Sequence, residues 1–262
     1  MAILFSGDFH ANECNEISVI SKKNLIKKYG QDKFDSIHYH IILGDGGFMW
    51  YGNQKTDRFN YKTLAFRPFP ILCVPGNHEP IYGMKNIPEA DIGIGESVYQ
   101  INKEPFVAYL KRGKVYIIDG IKILVLGGAL SMDKERRVPN KTWWENEYWN
   151  EQEKRDLLKL LETDNVFDIV ISHTGPQFMN RCLFYGSSSY SAKLSDEVAV
   201  LNNIIHDKIQ FTEWLCGYWH EDRYYINDIT NHSYQYLYKS TKILQKIDEN
   251  IIITNEYGIR NR

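Results

Sequence analysis

Short apolar runs of strand length recur along the chain, at residues 2–5, 37–43, 70–74, 115–118, 123–126, 167–171 and 211–215. Their length and their Ile, Leu, Val and Phe content suit strands buried on both faces. Between them, 16–29, 151–161 and 196–206 space their apolar residues at helical intervals, and Leu157, Leu158, Leu160 and Leu161 show the pattern most plainly. Strand and helix alternate through the first 80 residues and again from about 150 to 216. Strands without intervening helices are expected across 115–126 and at 223–229, 234–238 and 251–254. The mixture predicts an α/β protein built on mixed sheets. No repeat or low-complexity tract appears, and apart from the polar stretch 186–191 no linker does, so residues 1–262 are expected to form one domain.

Composition narrows the function classes only a little. A hydrophobic content of 43% with 24% charged residues is that of an ordinary globular protein, although 18 Tyr and 6 Trp make it rich in aromatics. The net charge of −2 gives no general attraction to nucleic acid or to an anionic membrane surface. No run approaches the roughly 20 apolar residues that span a bilayer. The N-terminus, from Met1 to Asp8, lacks the basic stretch of a signal peptide. Cys14, Cys73, Cys182 and Cys216 form no Cys-x-x-Cys pair, which argues against a zinc knuckle or disulfide framework and predicts reduced thiols in a cytoplasmic protein.

Five apolar runs end in a small or turn residue followed at once by metal-ligand side chains. They read Phe5-Ser-Gly-Asp8-Phe-His10, Leu43-Gly-Asp45, Val74-Pro-Gly-Asn77-His78-Glu79, Ile171-Ser-His173 and Cys216-Gly-Tyr-Trp-His220. Ligands of open α/β sheets bind beyond the carboxyl ends of the strands, so the five tips can meet at one site. Asp8 and His10 are two apart, so in an extended segment both project to one side. Asp45 sits between glycines, where one carboxylate can bridge two cations, and Asn77 offers a neutral amide oxygen. Mixed imidazole and carboxylate donors suit Mn, Fe, Zn or Ni better than calcium.

These ordered motifs resemble the calcineurin-like metallophosphoesterase superfamily, whose pattern is Asp-x-His, Gly-Asp, Gly-Asn-His-(Glu/Asp), His and Gly-His-x-His. Here the order runs from residue 7 to residue 222, as in small bacterial or phage-type members. The resemblance implies an αββα sandwich of two mixed sheets flanked by helices, with the metal site at the C-terminal ends of strands. It implies a hydrolase of phosphate mono- or diesters, a phosphatase or phosphodiesterase using a metal-activated water. Two divalent cations are expected, manganese first, with iron, zinc or nickel as alternatives. Asp8, His10 and His220 match the first cation's ligands, Asp45 the bridge, and Asn77 and His173 the second cation's ligands. His78 matches the catalytic histidine that touches phosphate and protonates the leaving oxygen. Asn77 assists there, and Glu79 is expected to orient or tune His78.

One departure stands out. Where the superfamily has Gly-His-x-His, this chain has Gly217-Tyr218-Trp219-His220, so Tyr218 replaces a second-cation histidine and that site should be weak. The alternative function is therefore a catalytically weak or inactive binding scaffold of the same fold. The stretch from Gly127 to Trp144 resembles a substrate-side loop, in which Arg136 or Arg137 can pair with phosphate. Tyr218 is a further candidate substrate contact. Substrates are expected to be phosphorylated small molecules, nucleotides or proteins. Residues 44–50 lack the arginine that protein phosphatases of the superfamily usually carry, which counts against that class. His38 and His40 read as hydrogen-bonded or surface residues, and His206 and His232 as surface residues.

Overall fold

The computed structural model describes residues 1–10, 20–50, 57, 68–81, 84, 87–184, 196–227, 229–248, 250–255 and 258–261. Strands β1 (Ala2–Ser6), β2 (Ile37–Ile42), β3 (Ile71–Cys73) and β6 (Val107–Tyr109) pair in parallel. β5 (Val98–Asn102) and β4 (Glu89–Ala90) continue that sheet antiparallel on one side, and β13 (Thr241–Ile247), β14 (Asn250–Asn255) and β15 (Gly258–Asn261) do so on the other. The second sheet runs β11 (Arg223–Ile226), β12 (Ser233–Tyr236), β10 (Glu213–Cys216), β9 (Ile169–Ser172), β8 (Ile121–Leu126), β7 (Lys114–Ile118). Its four inner strands are parallel and its two edges antiparallel.

The period of two along each strand decides which core a side chain joins. Ile3 and Phe5 of β1, Ile41 of β2 and Leu72 of β3 face Ile121, Ile123 and Val125 of β8, Ile169 and Ile171 of β9 and Leu215 of β10 between the sheets. Leu4, Ile42 and Cys73 face outward and pack under Leu25 and Phe34. Those two residues belong to α1 (Lys22–Tyr29) and α2 (Gln31–Asp35). On the far side, Leu124, Leu126 and Val170 pack under α3 (Glu151–Thr163), α4 (Gln177–Phe184) and α5 (Glu197–His206). The result is an αββα sandwich of two mixed sheets. Parallel strands buried on both faces explain why their segments read as continuous apolar runs.

Helix starts follow local chemistry. Asn150 and Glu153 form a reciprocal capping box for α3, and Asp196 caps α5. The helix expected over 16–29 begins only at Lys22, where Ser21 caps it, and 16–19 lie outside the described residues, as does 186–191. The strand expected at 223–229 stops at Ile226, and Ile229 is 94% exposed. Strands β4 to β6 and β13 were not expected. In β13 the polar Lys242, Gln245 and Lys246 break the apolar pattern. Among the described residues, no helix is long and apolar enough to cross a membrane.

Lys242 is nevertheless buried on the inner face of β13, where it pairs with buried Glu213 of β10 and donates to Gln235 Oε1 at 2.8 Å. The pair joins the two sheets across the sandwich. Lys242→Met would leave the Glu213 carboxylate buried without its cation, at an expected cost of about 3–5 kcal/mol by urea unfolding, and Glu213→Gln in the same background should recover part of the loss.

Candidate metal centre

Five strand ends deliver the site. Past β1 come Asp8 and His10, past β2 Asp45, past β3 Asn77 and His78, past β9 His173, and past β10 Tyr218 and His220. The loops are bent hard to do this: His10, Asp45, Tyr218 and His220 all adopt positive φ, at 42°, 49°, 71° and 55°. Strained backbone of this kind persists where surrounding contacts over-determine it. Two glycines make room. A Cβ on Gly44, at φ 90°, would lie 2.1 Å from His173 Nδ1, and one on Gly76 would lie 2.1 Å from Asp45 Oδ1. The loops also brace one another, because the Phe9 and His10 N–H groups donate to the Asp45 carbonyl at 3.1 and 2.8 Å.

The side chains form three overlapping groups, Asp8/His10/His220, His10/Asp45/His78 and Asp8/Asp45/His173, with ligand atoms inside each group within 4.8 Å of one another. His173 Nδ1 donates to the Leu43 carbonyl at 2.9 Å, which aims Nε2 at Asn77 Oδ1 (3.0 Å), Asp45 Oδ2 (3.4 Å) and Asp8 Oδ1 (3.9 Å). On the opposite side, His10 Nε2 faces His220 Nε2 at 3.1 Å. Burial opposes a charge on His173, yet the Asp45 and Asp8 carboxylates outweigh it and push the ring up to about 10. Burial likewise disfavours the Asp45 carboxylate, and His78, His173 and His10 nevertheless hold it well below the usual range. Converging oxygens and imidazole nitrogens, with His173 fixed by a backbone carbonyl behind it, fit divalent cations.

Several expected roles change. The chain is not extended at Asp8 and His10, since β1 ends at Ser6 and a left-handed turn at His10 brings its Nε2 back to 3.7 Å from Asp8 Oδ1. Glu79 does not orient His78. Its carboxylate accepts from the N–H groups of Asp45, Gly47 and Gly76 at 3.2, 3.1 and 2.7 Å, so it ties two loops together from beneath. His78 is gripped instead by Trp50, stacked at 4.7 Å and 27°, and by Arg137, whose two terminal nitrogens lie 3.0 and 2.9 Å from the ring nitrogens. Trp50 carries no motif signal of its own beyond closing the glycine loop after Asp45. Arg137 lines the cleft and pairs with Asp133 at 2.7 Å, whereas Arg136 is exposed on a 3₁₀ turn and does not line it.

Tyr218 lines the cleft too, but its hydroxyl donates to the Leu130 carbonyl at 2.6 Å, and burial, with Asp196 and Glu147 nearby, pushes the phenol far above its usual range. Elsewhere, Asp222 binds the N–H groups of Tyr238, Lys239 and Ser240 and serves a turn. His40 is buried against Ser6 Oγ at 2.8 Å, and His38 pairs with Asp119 at 3.2 Å. His206 is not a simple surface residue: it is partly buried, with Nε2 2.7 Å from the Tyr234 hydroxyl. His232 is partly buried as well and stacks on Phe211.

The calcineurin-like phosphoesterase profile matches residues 1–217. The chain belongs to that family. It is accordingly a metal-dependent phosphoester hydrolase. No curated protein matches the chain. Among solved structures, GAP50, the anchor in the inner membrane complex of Plasmodium, shares the fold at 11% identity, TM-score 0.54, over 97% of this chain and 84% of that one. A phosphopantetheinyl hydrolase from Mycobacterium tuberculosis aligns at 14% identity, TM-score 0.49, over 91% and 90%. A dimetal phosphatase from Danio rerio aligns at 10% identity, TM-score 0.48, over 100% and 98%.

Asp45, like Asp8 and His10, belongs to two of the three donor groups, so its loss should be felt in both of them. Asp45→Ala is expected to lose bound metal and activity together, as read by elemental analysis after dialysis and by a phosphatase assay. Full metal content in that variant would contradict the shared position.

Proposed function

We propose that the chain, working as one domain over residues 1–262, hydrolyses phosphate mono- or diesters of small molecules, nucleotides included, with two divalent cations of which the second is held weakly. The observation that carries this reading is the meeting of Asp8, His10, Asp45, Asn77, His173 and His220 from five strand ends in overlapping donor groups. Asp8, His10 and His220 would hold the first cation, Asp45 would be shared, and Asn77 and His173 would hold the second, manganese being the first choice for both. When bound, the cations draw in phosphate oxygens and make a water acidic enough to attack near neutral pH.

The protein's own groups do the rest. His78, pressed between Trp50 and Arg137, would donate a proton to the leaving oxygen. Burial, with the charges of Arg137, His10 and His173 around it, holds the ring down to about 4 against the pull of Asp45. A phosphate anion entering the cleft offsets those charges and raises the ring's affinity for a proton. Arg137 supplies a second positive group to the anion. The cleft, about 210 Å³ and open to solvent, has room for a phosphoryl group beside His78 and Arg137.

Tyr218 favours a second reading, a binding scaffold with a decayed site, because its hydroxyl is spent on Leu130 and leaves the second cation Asp45, Asn77 and His173. An assay of aryl phosphate mono- and diesters with Mn, Ni, Zn and Mg separates the two. Turnover of at least one ester is expected, with His78→Ala slower by about 10²–10⁴ at unchanged metal content; silence with every metal favours the scaffold. Tyr218→His should tighten the second cation in a metal titration. Identical stoichiometry and affinity would refute the weak-site assignment.

A further inference from the structure

The segment after β8 runs beneath the cleft. Gly128, at φ 88°, passes so close to the Glu147 carbonyl that a Cβ would lie 2.2 Å from it, and its N–H donates to the Pro75 carbonyl at 2.9 Å. This fastens the segment to the loop that carries Asn77 and sets Ser131 between Asn77 and Glu147. All three side chains are buried, at 4%, 1% and 1% exposure for Asn77, Ser131 and Glu147. Arg112 holds the Glu147 turn from behind, donating to the carbonyls of Asn146 and Tyr148 at 3.0 and 2.9 Å.

The hydrogen bonds run in one direction. Glu147 accepts from the Ser131 N–H at 3.0 Å and from its hydroxyl at 2.5 Å. With its only proton given to the carboxylate, Ser131 Oγ is left to accept, and Asn77 Nδ2 donates to it at 3.0 Å. The amide of Asn77 is thereby turned so that Oδ1 faces His173 Nε2 and the donor cluster. An asparagine without this anchor can rotate and present its NH₂ to the cations, replacing an attraction with a repulsion.

We propose that Ser131 and Glu147 are positioning residues that lock the Asn77 amide oxygen toward the cluster and so set the affinity of the second cation. This rests on the two-cation reading above. Groups that orient a metal ligand typically contribute 10–100-fold in affinity.

The test is a calorimetric titration of metal-stripped protein with Mn²⁺, with thermal unfolding of each stripped variant alongside. Ser131→Ala should weaken the second binding step by about 10–100-fold and leave the first unchanged. Ser131→Thr, which keeps the hydroxyl, should restore it. Glu147→Gln should weaken it too, because a glutamine amide can donate to Ser131 Oγ and free the hydroxyl proton to turn on Asn77. A wild type with two steps and a Ser131→Ala variant identical to it overturns the relay alone. Equal weakening of both steps also overturns it, as general loosening of the rim. A wild type with no second step overturns the two-cation reading beneath it.

Discussion

Two carboxylates, Asp8 and Asp45, are held almost wholly out of water at one rim of the sandwich, and the surrounding design answers to that constraint. Buried charge is expensive unless paired, and here the imidazoles of His10, His78, His173 and His220 lie within 4 Å of the two carboxylates, with His173 the ring that they push toward its protonated form. Proton-bearing rings and divalent cations are alternative answers to the same concentration of negative charge. The field that pulls His173 toward its protonated form is the field that would hold a metal.

Holding so many polar groups together requires the loops to be built as one piece. Asp45 takes the N–H groups of residues 9 and 10 on its carbonyl and that of His78 on Oδ1 at 3.0 Å. Glu79 gathers three more N–H groups from below. Across the sandwich, His173 of the second sheet reaches the Leu43 carbonyl of the first, and within the second sheet Gly217, past the neighbouring β10, donates to the His173 carbonyl at 3.0 Å. The buried Lys242–Glu213 pair joins the two sheets elsewhere in the interior. The rim is therefore a cross-braced ring of turns, and the positive φ values of His10, Asp45, Tyr218 and His220 are the local strain it sustains.

Within that ring the two proposed cation positions would be unequal in their support. The first would have a carboxylate and two imidazoles; the second would lean on a neutral amide and one imidazole beside the shared Asp45, because Tyr218 turns its hydroxyl to a backbone carbonyl. A site short of one donor depends more on the orientation of those that remain, which gives the Asn77–Ser131–Glu147 chain its weight.

Asp8, His10, Asp45, Asn77, His173 and His220 could be picked out from the chain because each follows an apolar run at a turn, and the strand ends of an α/β sheet are where such residues can meet. The parallel strands other than β6, and helices α3 and α5, were legible for the same reason, as periodic burial writes itself locally into apolar spacing. Strand β13 was not, because Lys242 is tolerated inside through partners such as Glu213, 29 residues away in sequence. Nor could sequence assign Glu79 to the loop backbones, choose Arg137 over Arg136, seat Trp50 on His78 or link Glu147 to Asn77. Those choices depend on direction and distance between groups from separate strand ends, and only the packed chain fixes them.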